Sequence, residues 1–437
     1  MIKRNKILML IGMFVAAFLI GGGFFFNEEE VELSLKLNSE QSISKDKDLT
    51  VLVASDLHYL SPDFIEEGIL HDSLLNDGDG KMTHRSEEIV DTFIEEVIEI
   101  NPDLVILSGD LTFDGEMKSH EELADKLNHL VEKGIQVNVI PGNHDVNVYS
   151  ARGFTKDATY RVDSISSEEF EEMYWNHGYS TSVSRDSESL SYVTELSEST
   201  WLIMLDSNKY REHNQHRKSI PSGVIQKETL EWLEFILEES EKHQVNPIVV
   251  AHHNFLNHHH KMSAGFTLDN DREVVDLLNK YKVPLTFSGH IHLQHIAKEE
   301  NFYDIASGSL SVYPNYFGKV SIDFKDRQLT YETKRLKGSP RFQEDSEAFF
   351  DEVSRRKVLS RLDKEDLDTE VLNQLADTFV LFNNAYFAGT VQENYHEITE
   401  SEGFDYWEKL TNLRYHDYIM NGLEEERLEG NFLQISY

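Results

Sequence analysis

The stretch VIPGNHD, residues Val139 to Asp145, places three polar side chains directly behind an apolar run. Residues 135–140 are mostly β-branched, which predicts a short buried strand. The Pro-Gly pair that follows predicts a turn. Because a strand end fixes the backbone, this turn presents the amide of Asn143, the imidazole of His144 and the carboxylate of Asp145 together.

The same layout recurs at four other places along the chain. Predicted buried strands are followed by acidic or imidazole side chains, namely Asp56 and His58 after residues 49–54, Asp110 after 103–107, His252 after 247–251, and His290 and His292 after 284–287. A single histidine is usually an ordinary surface or core residue, so one cluster alone is weak evidence. Five clusters at strand ends predict one shared site, because α/β sheets bind ligands at the carboxyl ends of their strands.

Helical patterns separate these strands. Apolar residues recur at helical spacing in residues 86–100, 116–133, 225–243 and 271–281, and Ser86 is the predicted N-cap of the first helix. Alternating strands and helices predict an α/β sandwich over residues 49–340. Residues 146–200 are less regular, which predicts an insertion over one edge of the site.

The chain after residue 340 has a different pattern. Apolar and aromatic residues recur at helical spacing and no strand pattern remains, so residues 341–437 are predicted to form a separate helical domain. Its aromatic stripe is more typical of a packed core than of a binding surface. Its role is open between a lid over the pocket, a dimer interface and a brace for the sandwich, and the oligomeric state is open as well.

Composition excludes several classes of protein. The chain has 437 residues, a net charge of -38 and no cysteine. No basic stripe is present to neutralise phosphates, so a nucleic-acid duplex is not an expected partner. The absence of cysteine excludes disulfides and zinc-thiolate sites. If the substrate is an anion, its positive counter-charge is expected from something other than Lys and Arg.

The N-terminal residues predict a membrane segment. Lys3, Arg4 and Lys6 precede an apolar run in residues 7–26, roughly the 20 residues that cross a bilayer. We expect residues 1–26 to be a membrane anchor or a signal segment and residues 27–48 to be an acidic tether. The length of the run favours an uncleaved anchor. The expected location is the extracellular face of a bacterial cell membrane, or outside the cell if the segment is cleaved.

The donor atoms in the five clusters predict a metal centre. Carboxylate, imidazole and amide groups without thiolate suit Mn, Fe or Zn. The clusters contain too many such groups for one ion, which favours two metals about 3.5–4 Å apart, a spacing that suits in-line displacement at phosphorus. Spacing along the chain does not show which group binds which metal.

The order of these motifs resembles that of the calcineurin-like metallophosphoesterase superfamily, over roughly residues 49–333. The resemblance implies a four-layer α/β/β/α sandwich that holds two divalent or trivalent metals and hydrolyses phosphoric esters through a metal-bridging hydroxide. It implies that the first metal is bound by Asp56, His58, Asp110 and His292, and the second by Asp110, Asn143, His252 and His290. Asp110 would bridge the two ions.

The resemblance also implies two catalytic residues. His144 would face the leaving oxygen as general acid or as a hydrogen-bond donor to the transition state, and Asp145 would orient its ring. The pattern departs from the family at Asn254, where a proline is frequent, and His253 lies directly beside the ligand His252. The run of histidines at residues 258–260 is expected to be a solvated loop or a substrate rim.

The likeness extends to a bacterial cyclic-nucleotide phosphodiesterase branch. It is carried by Asn143-His144-Asp145, by the helical C-terminal region and by the SGSLSVYP tract at residues 307–314, where Tyr313 or Tyr316 could stack on a base. The first hypothesis is therefore a phosphodiesterase acting on a small diester such as a cyclic nucleotide. The alternatives are a broad extracellular phosphomonoesterase or glycerophosphodiesterase, and a non-catalytic binding protein that keeps a metal site.

Overall fold

The computed structural model describes residues 34–37, 47–66, 80–211, 219–259, 264–339, 341–424 and 430–436. The expected anchor at residues 1–26 lies outside the described residues, as does most of the expected tether. Within these ranges the structure contains no helix with the length and apolar character that a membrane span requires. Residues 35–437 form one compact unit.

Strands and helices alternate through the first two-thirds of the chain, as the sequence predicts. The strands, numbered along the chain, are β1 (Leu49–Ala54), β2 (Leu104–Leu107), β3 (Gln136–Val139), β4 (Arg152–Phe154), β5 (Thr159–Arg161), β6 (Ser184–Arg185), β7 (Tyr192–Ser197), β8 (Thr200–Leu205), β9 (Asn246–Ala251), β10 (Leu285–Ser288), β11 (His295–Glu299), β12 (Phe302–Ala306), β13 (Tyr316–Asp323), β14 (Gln328–Arg335) and β15 (Phe432–Ser436).

The two longest α-helices of the described residues follow residue 340. The α-helices are α1 (Ser86–Ile100), α2 (Met117–Glu132), α3 (Ser167–Met173), α4 (Lys227–His243), α5 (Asp271–Lys280), α6 (Phe342–Leu362), α7 (Thr369–Phe387), α8 (Tyr395–Thr399), α9 (Phe404–Lys409) and α10 (His416–Glu424). Short 3-10 helices occupy Pro62–Phe64, Thr83–Arg85 and Tyr179–Thr181.

Two large sheets form the centre of the molecule. One has the strand order β15-β14-β13-β1-β2-β3, and the other has the order β11-β12-β10-β9-β8-β7-β6. Strands β1, β2 and β3 are parallel, with Leu107 paired to both Ala54 and Val139. Strands β8, β9 and β10 are also parallel, with Leu205 paired to Ala251. The carboxyl ends of the parallel strands are therefore level within each sheet.

Successive side chains of β8 point to opposite faces of the second sheet. Leu202 and Met204 of β8 belong to the large apolar core that also contains β1, β2, β3 and helices α1 and α2. Their neighbours Trp201, Ile203 and Leu205 pack instead with Trp232 and other apolar residues of α4 and α5. This period-2 pattern is expected of a strand buried on both faces. The mixed α/β fold with a helical C-terminal region is confirmed.

The structure corrects the expected start of the first helix. Ser86 was the predicted N-cap, but Arg85 occupies that position and caps nothing with its side chain. The Ser86 hydroxyl instead accepts from the backbone N–H of Leu60 and donates to its carbonyl, at 3.0 and 3.2 Å. This buried hydroxyl ties the helix to the segment that follows β1.

Strands occur in two regions for which the sequence predicted none. Within residues 146–200, β6 and β7 extend the second sheet, because β7 pairs antiparallel with β8. The expectation of no strand after residue 340 is also wrong, since β15 pairs antiparallel with β14 at the edge of the first sheet. Its five residues are alternately exposed and half-buried, and so short an edge strand gives a weak sequence pattern.

The C-terminal helices build a hydrophobic core of their own. Residues of α6, α7, α9 and α10 pack together around Phe379, Phe382 and Trp407. The same cluster includes Ile291, Leu293 and Ala306 from the α/β region. The aromatic stripe predicted from the sequence is therefore core, and it packs against the segment that carries His290 and His292.

Candidate metal centre and active site

The loops after β1, β2, β3, β9 and β10 meet at one place. Because the strand ends are level, the polar residues just beyond them converge, as the sequence predicts. The structure brings together Asp56, His58, Asp110, Asn143, His252, His290 and His292, all of which are buried, with exposed fractions of 8% or less.

The loops hold several of these residues in an unusual backbone conformation. Asp56, His58, Asp110, His290 and His292 have φ angles between 45° and 69°. Residues with a side chain rarely adopt this left-handed region, which costs of order 1–3 kcal/mol and persists where surrounding contacts impose it. Such strain is concentrated at functional sites.

Hydrogen bonds between the loops supply those contacts. The backbone N–H groups of Asp56 and His58 donate to the carbonyls of Gly109 and Asp110, both at 3.0 Å. The N–H of His290 donates to Oδ2 of Asp56 at 3.0 Å. The loops of the two sheets are thus bonded to one another at the site itself.

The first group of side chains consists of Asp56, His58, Asp110 and His292. Their ligand atoms all lie within 4.8 Å of one another. Nε2 of His292 lies 3.3 Å from Oδ1 of Asp56 and 3.1 Å from Nε2 of His58. Nε2 of His58 is 3.8 Å from Oδ2 of Asp110. This is a compact group of two carboxylates and two imidazoles.

The second group shares Asp110 with the first. Asp110, His252 and His290 also have ligand atoms within 4.8 Å of one another. Nε2 of His252 lies 3.4 Å from Oδ1 of Asp110 and 3.2 Å from Oδ1 of Asn143. Nε2 of His290 hydrogen-bonds to the carbonyl of Gly265 at 2.8 Å, which leaves Nδ1 of that ring for the site.

Glycines allow the loops to approach this closely. A Cβ atom on Gly142 would overlap the backbone nitrogen and the carboxylate of Asp110. Gly109 has a φ of +97°, and a Cβ there would lie 2.6 Å from Nδ1 of His252. Both positions therefore require glycine, for space and in the second case for conformation as well.

The donor set fits metal binding. Oδ1 of Asp56 is buried and makes no hydrogen bond, and such an atom is costly to bury unless a ligand satisfies it. The site combines carboxylate, imidazole and amide donors without thiolate, which suits Mn, Fe or Zn. Two groups that share one carboxylate provide places for two ions.

Burial and charge interactions set the protonation states of the donor groups. Burial opposes ionisation of Asp110, but His252 and His144 outweigh it and hold the pKa of the carboxyl well below its usual value. Burial lowers the pKa of His58 well below its usual value and that of His290 to about 4. Burial also opposes protonation of His252, but Asp110 outweighs it and raises the pKa to about 9. Imidazoles bind metals in their neutral form, so binding at His252 would release a proton.

His144 lies beside the first group. Its ring centroid is 5.3 Å from that of His58, and its backbone N–H donates to Oδ1 of Asp110 at 2.9 Å. Nδ1 of the ring is 2.8 Å from Oδ1 of Asp114. The other carboxylate oxygen of Asp114 accepts from the guanidinium of Arg152. Arg152, Asp114 and His144 thus form a connected chain of charged groups.

The residue that orients the His144 ring is Asp114, which corrects the prediction of Asp145. The Asp145 carboxylate accepts backbone N–H groups from Leu111, Thr112 and Gly142 at 3.0, 2.9 and 2.7 Å. It thereby fixes the loops after β2 and β3 rather than the imidazole. The sequence signal for Asp114 was its place in the same loop as Asp110, four residues later.

The adjacent histidines have separate surroundings. His252 faces Asp110, while Nδ1 of His253 lies 2.8 Å from the Ser207 hydroxyl and Nε2 lies 2.9 Å from the carbonyl of Pro221. The amide of Asn254, where the family pattern often has proline, donates to the Ser288 hydroxyl and the Gly289 carbonyl. This departure therefore links the His252 loop to the loop that carries His290.

His258, His259 and Tyr313, which the sequence placed at the rim or wall of the pocket, pack against other side chains. His258 and His259 are buried rather than solvated, with His258 bonded to Asp304 and His295, while residue 260 lies outside the described residues. The ring of Tyr313 stacks on Phe350 at 5.6 Å. These contacts favour a packing role for Tyr313 over stacking on a base.

Comparison with known proteins gives two sequence matches. Residues 49–294 match the family described as calcineurin-like phosphoesterase. Residues 340–428 match the family described as the C-terminal domain of cyclic nucleotide phosphodiesterase. No curated protein is significantly similar to the chain.

Solved structures resemble the chain at low sequence identity. A dimetal phosphatase from Danio rerio has a TM-score of 0.49 and 12% identity, covering 66% of this chain and 96% of that chain. A putative 5'-nucleotidase from Staphylococcus aureus has a TM-score of 0.41 and 14% identity, covering 72% and 59% respectively. A phosphopantetheinyl hydrolase from Mycobacterium tuberculosis has a TM-score of 0.33 and 13% identity, covering 61% and 91%.

The family rests on the first sequence match, which spans more than half of the chain. The resemblance inferred from the motifs is therefore confirmed. The chain belongs to the calcineurin-like phosphoesterase family, as a metal-dependent phosphoester hydrolase with a C-terminal domain of the cyclic nucleotide phosphodiesterase type.

Proposed function

We propose that the protein is a dinuclear phosphodiesterase that hydrolyses a cyclic nucleotide or a closely similar small diester. The observation that carries the proposal is the pair of adjoining donor groups that share Asp110, with His144 beside them. The choice of a diester is supported by the match of residues 340–428 to the C-terminal domain of cyclic nucleotide phosphodiesterase.

The metal ligands follow from the two groups. Asp56, His58 and His292 would hold one ion, Asn143, His252 and His290 would hold the other, and Asp110 would bridge them. Mn or Fe suits these donors best, with Zn as the third choice. When bound, two such ions neutralise phosphoryl oxygens and activate water for attack at phosphorus.

His144 is the proposed general acid. Burial opposes protonation of its ring, but Asp110 and the hydrogen bond to Asp114 outweigh it, and the pKa is raised above its usual value. A protonated imidazole beside the site can give a proton to the leaving oxygen. Asp114 accepts from Nδ1, so the proton for transfer would be on Nε2.

Substrate selectivity tests this proposal. The purified full chain, loaded with Mn, would be assayed with bis-p-nitrophenyl phosphate, p-nitrophenyl phosphate and cyclic AMP. We expect turnover of both diesters at a higher kcat/KM than the monoester. A higher kcat/KM for the monoester would contradict the proposal in favour of a phosphomonoesterase, and turnover of none of the three substrates would favour the binding-protein alternative.

The carboxylate shared by both donor groups provides a second test of the proposal. Asp110→Ala should lose the dinuclear centre, because it removes the group common to both donor sets. Elemental analysis should find fewer than two metals per chain in this variant. A variant that retains both ions would contradict the bridging role.

A further inference from the structure

The segment at residues 219–224 lies against two of the loops that form the metal centre. It has the sequence SIPSGV and lies between β8 and α4, with no acid or imidazole of its own. Ser219 contacts the loop after β3, and Pro221 and Gly223 contact the loop after β9. The segment therefore joins the loop that carries Asn143 to the loop that carries His252.

The Ser219 hydroxyl makes two hydrogen bonds with Asn143. It donates to the backbone carbonyl of Asn143 at 2.7 Å, and it accepts from Nδ2 of the Asn143 side chain at 3.2 Å. Oδ1 of the same amide lies 3.2 Å from Nε2 of His252, on the side of the second donor group. The two ends of the buried Asn143 amide thus have different neighbours, the serine at Nδ2 and the imidazole at Oδ1.

The Ser219 hydroxyl fits only one of the two orientations of this amide. A hydroxyl has a single hydrogen, and the backbone carbonyl of Asn143 receives it. Towards the side chain the hydroxyl can therefore only accept, so it requires the NH2 end of the amide. The carbonyl end is then directed towards His252. This is the end that a metal binds, because an amide coordinates cations through its oxygen.

His253 supports the segment from below the metal centre's second donor group. Its Nε2 donates to the carbonyl of Pro221 at 2.9 Å. A Cβ atom on Gly223 would overlap the His253 ring, so the backbone of the segment lies directly against the imidazole. The residue next to the ligand His252 therefore anchors the backbone that carries Ser219.

The far end of the segment is bonded to two further loops. The N–H of Val224 donates to the carbonyl of Ser207, and the N–H of Asp269 donates to the carbonyl of Gly223, both at 2.8 Å. Both bonds join backbone groups and depend on no particular side chain. The segment is thus held at its far end by these loops and in its middle by the His253 ring, which fixes the position of the Ser219 hydroxyl.

We propose that Ser219 is a positioning residue for the second metal, and that it acts by holding the Asn143 amide with its oxygen towards that ion. The inference rests on the proposed function, because it takes Asn143, His252 and His290 as ligands of the second metal. It also gives His253 a task beside the ligand His252, which is to support the segment that carries Ser219.

Titration of Mn into the metal-free full chain tests this inference in the Ser219→Ala variant. The variant lacks the acceptor for Nδ2 of Asn143, so the amide is free to turn its oxygen away from the ion. The dissociation constant should rise about 10–100-fold for one of the two Mn ions, which is the usual effect of removing a hydrogen-bond partner from a metal ligand. The constant for the other ion should change much less. Ser219→Thr keeps the hydroxyl and should bind both ions as the wild type does.

The dependence of activity on Mn gives a second readout. The Mn concentration for half-maximal turnover of bis-p-nitrophenyl phosphate should rise by a similar factor in Ser219→Ala. At saturating Mn, kcat should stay close to the wild-type value, because excess metal fills the weakened site by mass action. A loss of kcat that saturating Mn does not reverse would contradict a role through metal binding.

Ser222→Ala is the matched control, because it makes the same substitution in the same segment at a hydroxyl that accepts from Lys209 at 2.8 Å. This variant should bind both Mn ions as the wild type does. The inference is overturned if Ser219→Ala keeps both dissociation constants within twofold of wild type, if Ser219→Thr fails to restore binding, or if Ser222→Ala weakens binding equally. Failure of the proposed function is distinct, because the wild-type chain would then bind fewer than two Mn ions or turn over no diester.

Discussion

At the scale of single residues, three neighbouring carboxylates of the site contact three different kinds of group. Asp110 faces both donor groups, Asp145 binds backbone N–H groups, and Asp114 binds the His144 ring. These neighbouring acids therefore have different tasks, although all are buried. Substitutions should separate those tasks.

His144→Ala should keep both metals and lose activity by about 10²–10⁴-fold, which is the usual contribution of a general acid.

Asp114→Asn should also keep both metals, and its activity should fall by about 10–100-fold, because the His144 ring loses the carboxylate that orients it. Elemental analysis alongside kcat measurements would check both variants. Loss of metal from His144→Ala would show that this residue is a ligand.

Glu116 should make stability depend on pH. Burial and then Asp114 raise its pKa from 4.5 to about 8, so the folded state favours the protonated form. The stabilisation is complete below the unfolded pKa near 4.5 and is lost as the pH rises through about 8, by on the order of 5 kcal/mol at most.

Glu116→Gln cannot ionise and should be less sensitive to pH. Thermal denaturation at pH 5 and pH 8.5 would compare it with the wild type. We expect Tm to fall more between these pH values in the wild type than in the variant. Equal falls in both proteins would show that Glu116 titrates normally in the folded state.

At the scale of elements, the site is built from loops that follow level strand ends. The register of β1, β2 and β3 aligns the residues after Ala54, Leu107 and Val139. Close contact between these loops then requires glycine at specific positions. The geometry of the metal ligands should therefore be sensitive to a single methyl group.

Gly142→Ala should reduce metal content because its Cβ would displace Asp110. Gly134→Ala is the control, since Gly134 has a φ of +82° with open space around its Cβ position. That control should lose about 1 kcal/mol of stability from backbone strain and keep its metals. Normal metal content in Gly142→Ala would mean that the loop can shift without moving Asp110.

At the scale of the whole molecule, the C-terminal region is joined to the α/β region in two ways. Its helices share a hydrophobic cluster with Ile291 and Leu293, which alternate with His290 and His292. Its last strand, β15, extends the first sheet beside β14. The first attachment reaches the metal site, and the second lies at the sheet edge.

Two truncations should distinguish these attachments. A chain ending at residue 339 would expose Ile291 and Leu293, so we expect poor solubility and loss of metal. A chain ending at residue 431 loses β15 but keeps the Gly430 carbonyl that accepts from the Gln294 side chain, and it should keep its metals and activity with a lower Tm. Soluble yield, metal content, activity and Tm would be measured for both. Full activity of the chain ending at residue 339 would show that the C-terminal helices are not needed to hold the segment that carries His290 and His292.

Much of the site could be read from the sequence because its signals are local. Each ligand lies within a few residues of a strand whose apolar pattern is clear, and the order of strands and helices places those ends together. The hydrogen-bond partner of the His144 ring could not be identified in this way. Asp145 is adjacent in sequence, but the turn directs its carboxylate to Leu111, Thr112 and Gly142.

The amino-acid sequence by itself determined the α/β fold, the positions of the donor residues and the phosphoesterase family, since these depend on periodicity and short-range motifs. The tertiary structure decided that Asp114 orients His144 and that β15 completes a sheet. These features arise from contacts between segments far apart in the chain. Side-chain direction and packing set such contacts, and neither is recorded in the local pattern of residues.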